Sequence, residues 1–120
     1  MTLISCDSER DNIDMICGEL VVHKLYKNGT CLSCNKLISG NLQKGWFYFK
    51  DQNGSSINGD LEFIENKLKV EISNSNDAEF NGSYTIKIDT IEKGHQQNFM
   101  SITLRSKKNL IQFYKSVNID

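Results

Sequence analysis

Lys67-Leu68-Lys69-Val70-Glu71-Ile72, Ser83-Tyr84-Thr85-Ile86-Lys87-Ile88-Asp89 and Met100-Ser101-Ile102-Thr103-Leu104-Arg105 decide the fold. In each stretch apolar and polar residues alternate one for one. A strand sends successive side chains to opposite faces, so each stretch has one buried face and one wet face. Gly59 to Ser116 then reads as five short strands in a row, each followed by a turn signal: an antiparallel meander.

Outward from that block, Leu110 to Ser116 is the last strand, and Ser106-Lys107-Lys108-Asn109 is the loop before it. Ile57 to Ile64 is the strand that opens the block, with Glu65-Asn66 as a tight turn. Asn74 to Glu79 is a polar loop, and Phe80 to Asp89 is the strand beyond it. Upstream, Gly45 to Lys50 is an aromatic strand ended by the turn Gln52-Asn53-Gly54-Ser55. Thr30 to Lys44 is the least patterned stretch and predicts a loop carrying one short irregular strand. Glu19 to Lys27 predicts a strand closed by Asn28-Gly29, a two-residue hairpin signal. Ser8 to Ile16 predicts a short helix, with Ser8 as cap and Ile13 and Ile16 on one face. One long helix from Ile13 to Asn28 also fits. The β-branched Val21-Val22 and the helix-weakening Gly18 favour helix then strand. The total is about eight strands, the number at which a closed barrel is just filled by side chains or holds one small ligand.

The chain has 120 residues, one domain's worth, with 14 Lys plus Arg against 15 Asp plus Glu and no proline. A net charge of −1 and the lack of a basic stripe argue against a nucleic-acid partner. No stretch reaches the roughly 20 apolar residues of a membrane-spanning helix. The four consecutive aromatics Trp46-Phe47-Tyr48-Phe49 place two on each face. One pair belongs to the core. The other, assigned to Trp46 and Tyr48, is an exposed patch or an interface, unless the N-terminal helix covers both faces.

Chemistry-bearing motifs are sparse. Cys31-x-x-Cys34 is either half of a metal site completed by Cys17, His23 or His95, a redox pair, or a local disulfide or thiol pair in a loop. A zinc ribbon brings a second Cys-x-x-Cys, and thioredoxin-like sites open a helix beside a βαβ unit. Neither companion is present, so no metal and no cofactor are expected. There is no nucleophile elbow, and the pairs Glu62 with Glu65 and Asp77 with Glu79 sit among polar residues rather than in the buried setting that an acid–base pair needs. No catalytic residues are assigned. Asn28-Gly-Thr30, Asn53-Gly-Ser55 and Asn81-Gly-Ser83 are glycosylation triplets in form and are read here as turns.

The segment Ile13 to Gly29, with Gly18 and Leu20 opening a strand that ends at Asn28-Gly29, resembles the opening of small bacterial lipocalin-like domains. Asn81-Gly82-Ser83-Tyr84-Thr85-Ile86 resembles their Gly-Thr-Tyr-x-Ile strand. Met100 to Leu104 and Leu110 to Lys115 resemble their two closing strands. The chain departs from the family where Leu20 stands in place of a floor-packing Trp. The resemblance implies an all-β, up-and-down meander forming a lipocalin-like barrel or strongly curved sheet, with one short N-terminal helix. It also implies a non-enzymatic binding domain in the bacterial cell envelope. An inward set of Val70, Tyr84, Ile86, Met100, Ile102 and Phe113 then either lines a site for a small hydrophobic ligand or simply fills the barrel. In the second case the domain is a protein–protein module, an inhibitor or accessory subunit, that contacts an envelope protein through Trp46 and Tyr48.

Leu3-Ile4-Ser5-Cys6 resembles a lipobox. It implies that Cys6 carries a lipid anchor to the membrane, that residues 1–12 are a tether, and that the domain spans 13–120. Met1 to Ser5 is too short for the apolar core of a signal peptide, so this reading expects an apolar run encoded upstream. The alternative is a chance match in a cytoplasmic protein.

Overall fold

The computed structural model describes residues 16–34, 36–64, 69–93 and 97–118. The strands are β1 (Gly18–Lys27), β2 (Thr30–Cys31), β3 (Ile38–Gln43), β4 (Gly45–Asp51), β5 (Ser56–Ile64), β6 (Lys69–Ser73), β7 (Gly82–Lys93), β8 (Gln97–Arg105) and β9 (Asn109–Asn118). From β3 to β9 each stave pairs antiparallel with the next along the chain, and β1 pairs with both β3 and β9. β2 is a two-residue extension beside the end of β1. The other eight strands close into an antiparallel barrel, an architecture compatible with a lipocalin-like fold.

Local chemistry explains the turns. Asn28 and Gly29 take positive φ values of 51° and 81°, the conformation that a tight hairpin demands. The Asp51 carboxylate accepts from the backbone N–H groups of Asn53 and Ser55 at 2.9 and 3.0 Å, bending the chain between β4 and β5. Ser106 Oγ accepts from the N–H of Asn109 at 3.0 Å in the expected loop between β8 and β9.

The core is one cluster drawn from every stave. Leu20, Val22 and Leu25 of β1 meet Phe47 and Phe49 of β4, Ile102 and Leu104 of β8, and Ile111 and Phe113 of β9. The step from Val22 to Leu25 breaks the two-residue period. His23 is an extra residue there, because Val22 pairs with Phe113 while Lys24 pairs with Gln112. This bulge lets a ten-residue strand keep its apolar residues inward while it turns along the barrel wall. Gly40 faces inward, and a Cβ there would collide with the carbonyl oxygen of Tyr48 and the ring of Phe49. Gly40 therefore marks the tight corner between β3 and β4.

Three expectations need correction. Thr30 to Lys44 is not mainly loop: it supplies β3, a full stave whose inward positions are Ile38, Gly40 and Leu42. A glycine at the middle inward position interrupts the hydropathy alternation while leaving the pleat intact. Phe80 does not begin a strand but ends a 3-10 turn, Ala78–Phe80, capped by the Asp77 carboxylate accepting from Glu79 N–H. Ile86 is not in the sealed core. It faces inward opposite Leu104 but is only half-buried. The tether 1–12, Cys6, the helix expected over Ser8–Ile16 apart from Ile16 itself, the turn at Glu65-Asn66 and His95 lie outside the described residues. Among the described residues the one helical element is the 3-10 turn.

Replacing the fully buried Ile102 by Ala is expected to cost about 2–5 kcal/mol, and the half-buried Ile86 roughly half as much. Equilibrium denaturation of the two variants checks the order. Equal losses would show that Ile86 is as enclosed as Ile102.

Candidate functional site

Of the six residues expected to face a ligand, Val70, Tyr84, Met100, Ile102 and Phe113 are each 2 % exposed or less. They lie on β6, β7, β8 and β9 and pack into the common cluster with Ile86 against its edge. The structure thus brings the set together as packed interior.

Tyr84 has a structural task. Its hydroxyl donates to the Phe80 carbonyl at 2.7 Å and accepts from Asn109 Nδ2 at 3.0 Å. Asn109, itself buried, also donates to the Glu79 carbonyl at 2.8 Å, and its Oδ1 accepts from Asn28 N–H at 3.3 Å. Burial pushes the Tyr84 hydroxyl above its ordinary pKa, although hydrogen bonding with Asn109 and Ser106 opposes the shift. Outside this network Lys27 donates to Asp77 at 2.8 Å, and Asn28 donates to the Glu79 carboxylate. The 3-10 turn is thereby tied to β1, to the first hairpin and to β9, and it drives Phe80 into the barrel as a stopper. The hydrogen bond with Lys27 holds the Asp77 carboxyl below its ordinary pKa against the opposing effect of burial, and the same bond holds Lys27 above its own.

Cys31 and Cys34 form a disulfide across one turn of loop. Leu32 N–H donates to the Leu25 carbonyl at 2.7 Å, and Leu25 N–H donates to Ser33 Oγ at 3.0 Å. The loop thus folds back over the end of the barrel. Beneath Leu32 lies a cavity of about 150 Å³ walled by Leu25, Ile38, Phe49 and Ile57, with Lys36 and Asp51 at its rim. Cys17 precedes β1, whereas Cys31 pairs near the other end of that strand, so the register separates them. His23 points outward beside Tyr114, with ring centroids 5.0 Å apart. Among the described residues no three His, Cys, Asp or Glu side chains gather as a metal-binding group.

The outer face of β4 is the other candidate. Phe47 and Phe49 point into the core, and Trp46 and Tyr48 point out, 45 % and 41 % exposed. The outer rings lie 6.1 Å apart and within 12° of parallel. Cross-strand register sets polar residues on both sides. Trp46 stands between Gln43 and Asp60, and Tyr48 between Asn41 and Asn58. A groove of about 830 Å³ includes Gly45 and Asp60, the chain neighbour and cross-strand partner of Trp46, and continues through Lys44, Glu62, Phe63 and Glu71. Sequence reasoning found the two rings but missed Asn41, Gln43, Asp60 and the groove. Nothing in the linear chain pairs Trp46 with Asp60 until the register of β4 and β5 is known.

No known protein family, curated protein or solved structure matches the chain. The site is therefore read from its own geometry.

Two outcomes test the end closure. Tyr84→Phe leaves the buried Phe80 carbonyl without its donor and should cost about 1–3 kcal/mol in denaturant titrations. The Asp77 pKa lies below its ordinary value of 3.8 when folded, so its contribution is complete above that value and is lost as pH falls through the folded pKa. Lys27, raised above 10.5, contributes below that value and loses its contribution as pH rises through the folded pKa. Asp77→Asn should therefore lower stability at neutral pH and flatten its decline below pH ~4. An unchanged acid limb would remove the pair from the account.

Proposed function

We propose that this chain is a non-enzymatic, lipocalin-like binding domain of the bacterial cell envelope that works through the outer face of a filled barrel. The observation that carries the proposal is the contrast between the two faces of β4. Its inward phenylalanines are sealed, while its outward Trp46 and Tyr48 are exposed, Trp46 opposite the groove residue Asp60. Singly exposed apolar residues are ordinary, but two parallel exposed rings, one of them opposite a residue of the groove wall, suit a contact site. Aromatic residues such as these dominate binding energy wherever they are covered.

A small hydrophobic ligand is the second reading, and the cavity beneath Leu32 favours it. A volume of about 150 Å³ suits a compact apolar molecule of benzene size and not a lipid tail. On this reading the site lies among Leu25, Ile38, Phe49 and Ile57, on the β1, β3, β4 and β5 side of the interior. Val70, Tyr84, Ile86, Met100, Ile102 and Phe113 then serve as its packed support.

The envelope location rests on Leu3-Ile4-Ser5-Cys6 with the acidic Asp7, Glu9 and Asp11 behind it. Cys6 is proposed as the anchor. A single acyl chain binds membranes only marginally, so stable attachment requires more than one chain on this residue. The short tether would hold the barrel close to the surface, within reach of a neighbouring envelope component.

Native protein expressed from its full gene should partition into detergent, and Cys6→Ser should shift it to the aqueous phase or block its maturation. The aqueous form should co-sediment with isolated envelopes, and Trp46→Ala should abolish that. Unmodified Cys6 in native material would end the anchoring proposal, and undiminished co-sedimentation of the Trp46 variant would end the outer-face proposal.

A further inference from the structure

Three features of the outer face of β4 specify the chemistry of what it meets. The first is the aromatic pair. Trp46 and Tyr48 are both exposed, with ring centroids 6.1 Å apart and planes within 12° of parallel. The face of an aromatic ring is the negative pole of its quadrupole, and it attracts weakly positive C–H groups presented as a flat array. The second is the rim. Gln43 Nε2 donates to Asn41 Oδ1 at 2.7 Å, and Asn74 Nδ2 donates to Asp60 Oδ2 at 2.7 Å. Amides and a carboxylate held by one another keep their remaining donors and acceptors aimed at solvent, with less ordering entropy left to lose on binding. The third is the groove. Asp60 belongs both to the rim of Trp46 and to the groove wall, so the two surfaces are continuous.

Charge narrows the ligand further. Asp60, Glu62 and Glu71 line the groove against one cation, Lys44. Glu62 and Glu71 stand directly opposite each other across β5 and β6. Like charges so placed repel, and they also repel any polyanion that approaches. Phosphate-rich and uronate-rich polymers are therefore disfavoured. The exposed rings and the amide rim suit a ligand with flat C–H faces and many hydroxyls.

We infer that the Trp46–Tyr48 face and its groove form a binding site for a glycan chain free of acidic groups. The inference rests on the outer-face reading above and names the class of component recognised. A sugar ring lies against Trp46, the next unit reaches Tyr48, and hydroxyls pair with Asn41, Gln43 and Asp60. The chain continues into the groove, where Glu62 and Glu71 accept from hydroxyl or amino groups.

Native-gel electrophoresis through dissolved polysaccharides tests this. The panel is neutral glucans, mannans, galactans and xylans, then glycol chitosan, with polygalacturonate as the polyanion. The chain should be retarded by at least one neutral or amino-bearing polymer and not by polygalacturonate. Trp46→Ala and Asp60→Ala should each weaken that retardation at least about tenfold, as expected for central contact residues. Trp46→Phe, which keeps a ring, should restore part of it. Val21→Ala should change nothing, since Val21 is as exposed at 48 % but lies on β1 opposite Ser39. Trp46 is the only tryptophan, so its emission should shift when oligosaccharides of the retarding polymer are added.

Retardation by none of the neutral or amino-bearing polymers overturns the inference. So does retardation by glycol chitosan alone that persists in Trp46→Ala, which would be simple charge attraction. Loss of envelope co-sedimentation in Trp46→Ala without any retardation of the wild type would retain the outer face as the contact site and reject the glycan. Normal co-sedimentation of Trp46→Ala would reject both.

Discussion

The pairing of β1 with β9 is the constraint on which the rest of the molecule depends. It runs from Val21 opposite Tyr114 to Lys27 opposite Asn109 and turns a curved sheet into a barrel. Closure satisfies the backbone donors and acceptors that the two terminal staves would otherwise present as open edges. It also makes β1 serve two neighbours at once, β3 along its first half and β9 along its second. The bulge at His23 reconciles the two registers, since one extra residue moves the pairing without moving Val22 or Leu25 out of the core. At the start of the same strand, Lys115 of β9 donates to the carbonyl of Cys17, which ties the seam at that end.

Closure creates a second requirement, that the ends be stopped. At the end where β1 finishes, an apolar residue and a polar network share the work. Phe80 fills the opening, and Tyr84 with Asn109 satisfies the carbonyls of Glu79 and Phe80 that the stopper brings into the interior. Buried polar groups without partners would cost more than the stopper contributes, so the phenol and the amide are as necessary as the ring. Gly59 is part of the same arrangement. A Cβ there would come within 2.9 Å of the Ser75 backbone, so the loop leading into the stopper packs directly on β5. The disulfide loop performs a related service nearby by laying Leu32 over the remaining gap.

The outer face of the barrel has its own pattern. Along most of the barrel the wet face carries isolated polar residues. On β4 the same pleat that buries Phe47 and Phe49 must expose Trp46 and Tyr48. Core packing explains the phenylalanines but gives no reason for aromatic rings at the outward positions. Their cross-strand neighbours on β3 and β5 are polar, and Asp60, opposite Trp46, belongs to the carboxylate-lined groove.

The chain by itself determined a good deal. Strict alternation at Val70 to Ile72, Tyr84 to Ile88 and Met100 to Leu104 fixed the strands and their inward faces, because the pleat has a period of two whatever surrounds it. The Asn28-Gly29 turn and the outward pair on β4 were equally local, set by backbone conformation and spacing. What only the tertiary structure decided was non-local. The alternation at β3 was hidden because Gly40 has no side chain to mark its face, and the need for glycine comes from a close approach by β4. Phe80 continued an apolar pattern in sequence yet became a stopper, because Lys27, Asn28 and Asn109 hold its turn from distant parts of the chain. Ile86 had the right period but not the full burial. The rim of Asn41, Gln43 and Asp60 around the aromatic pair depended on register, which joins residues by hydrogen bonds between strands and leaves no trace in the order of the chain.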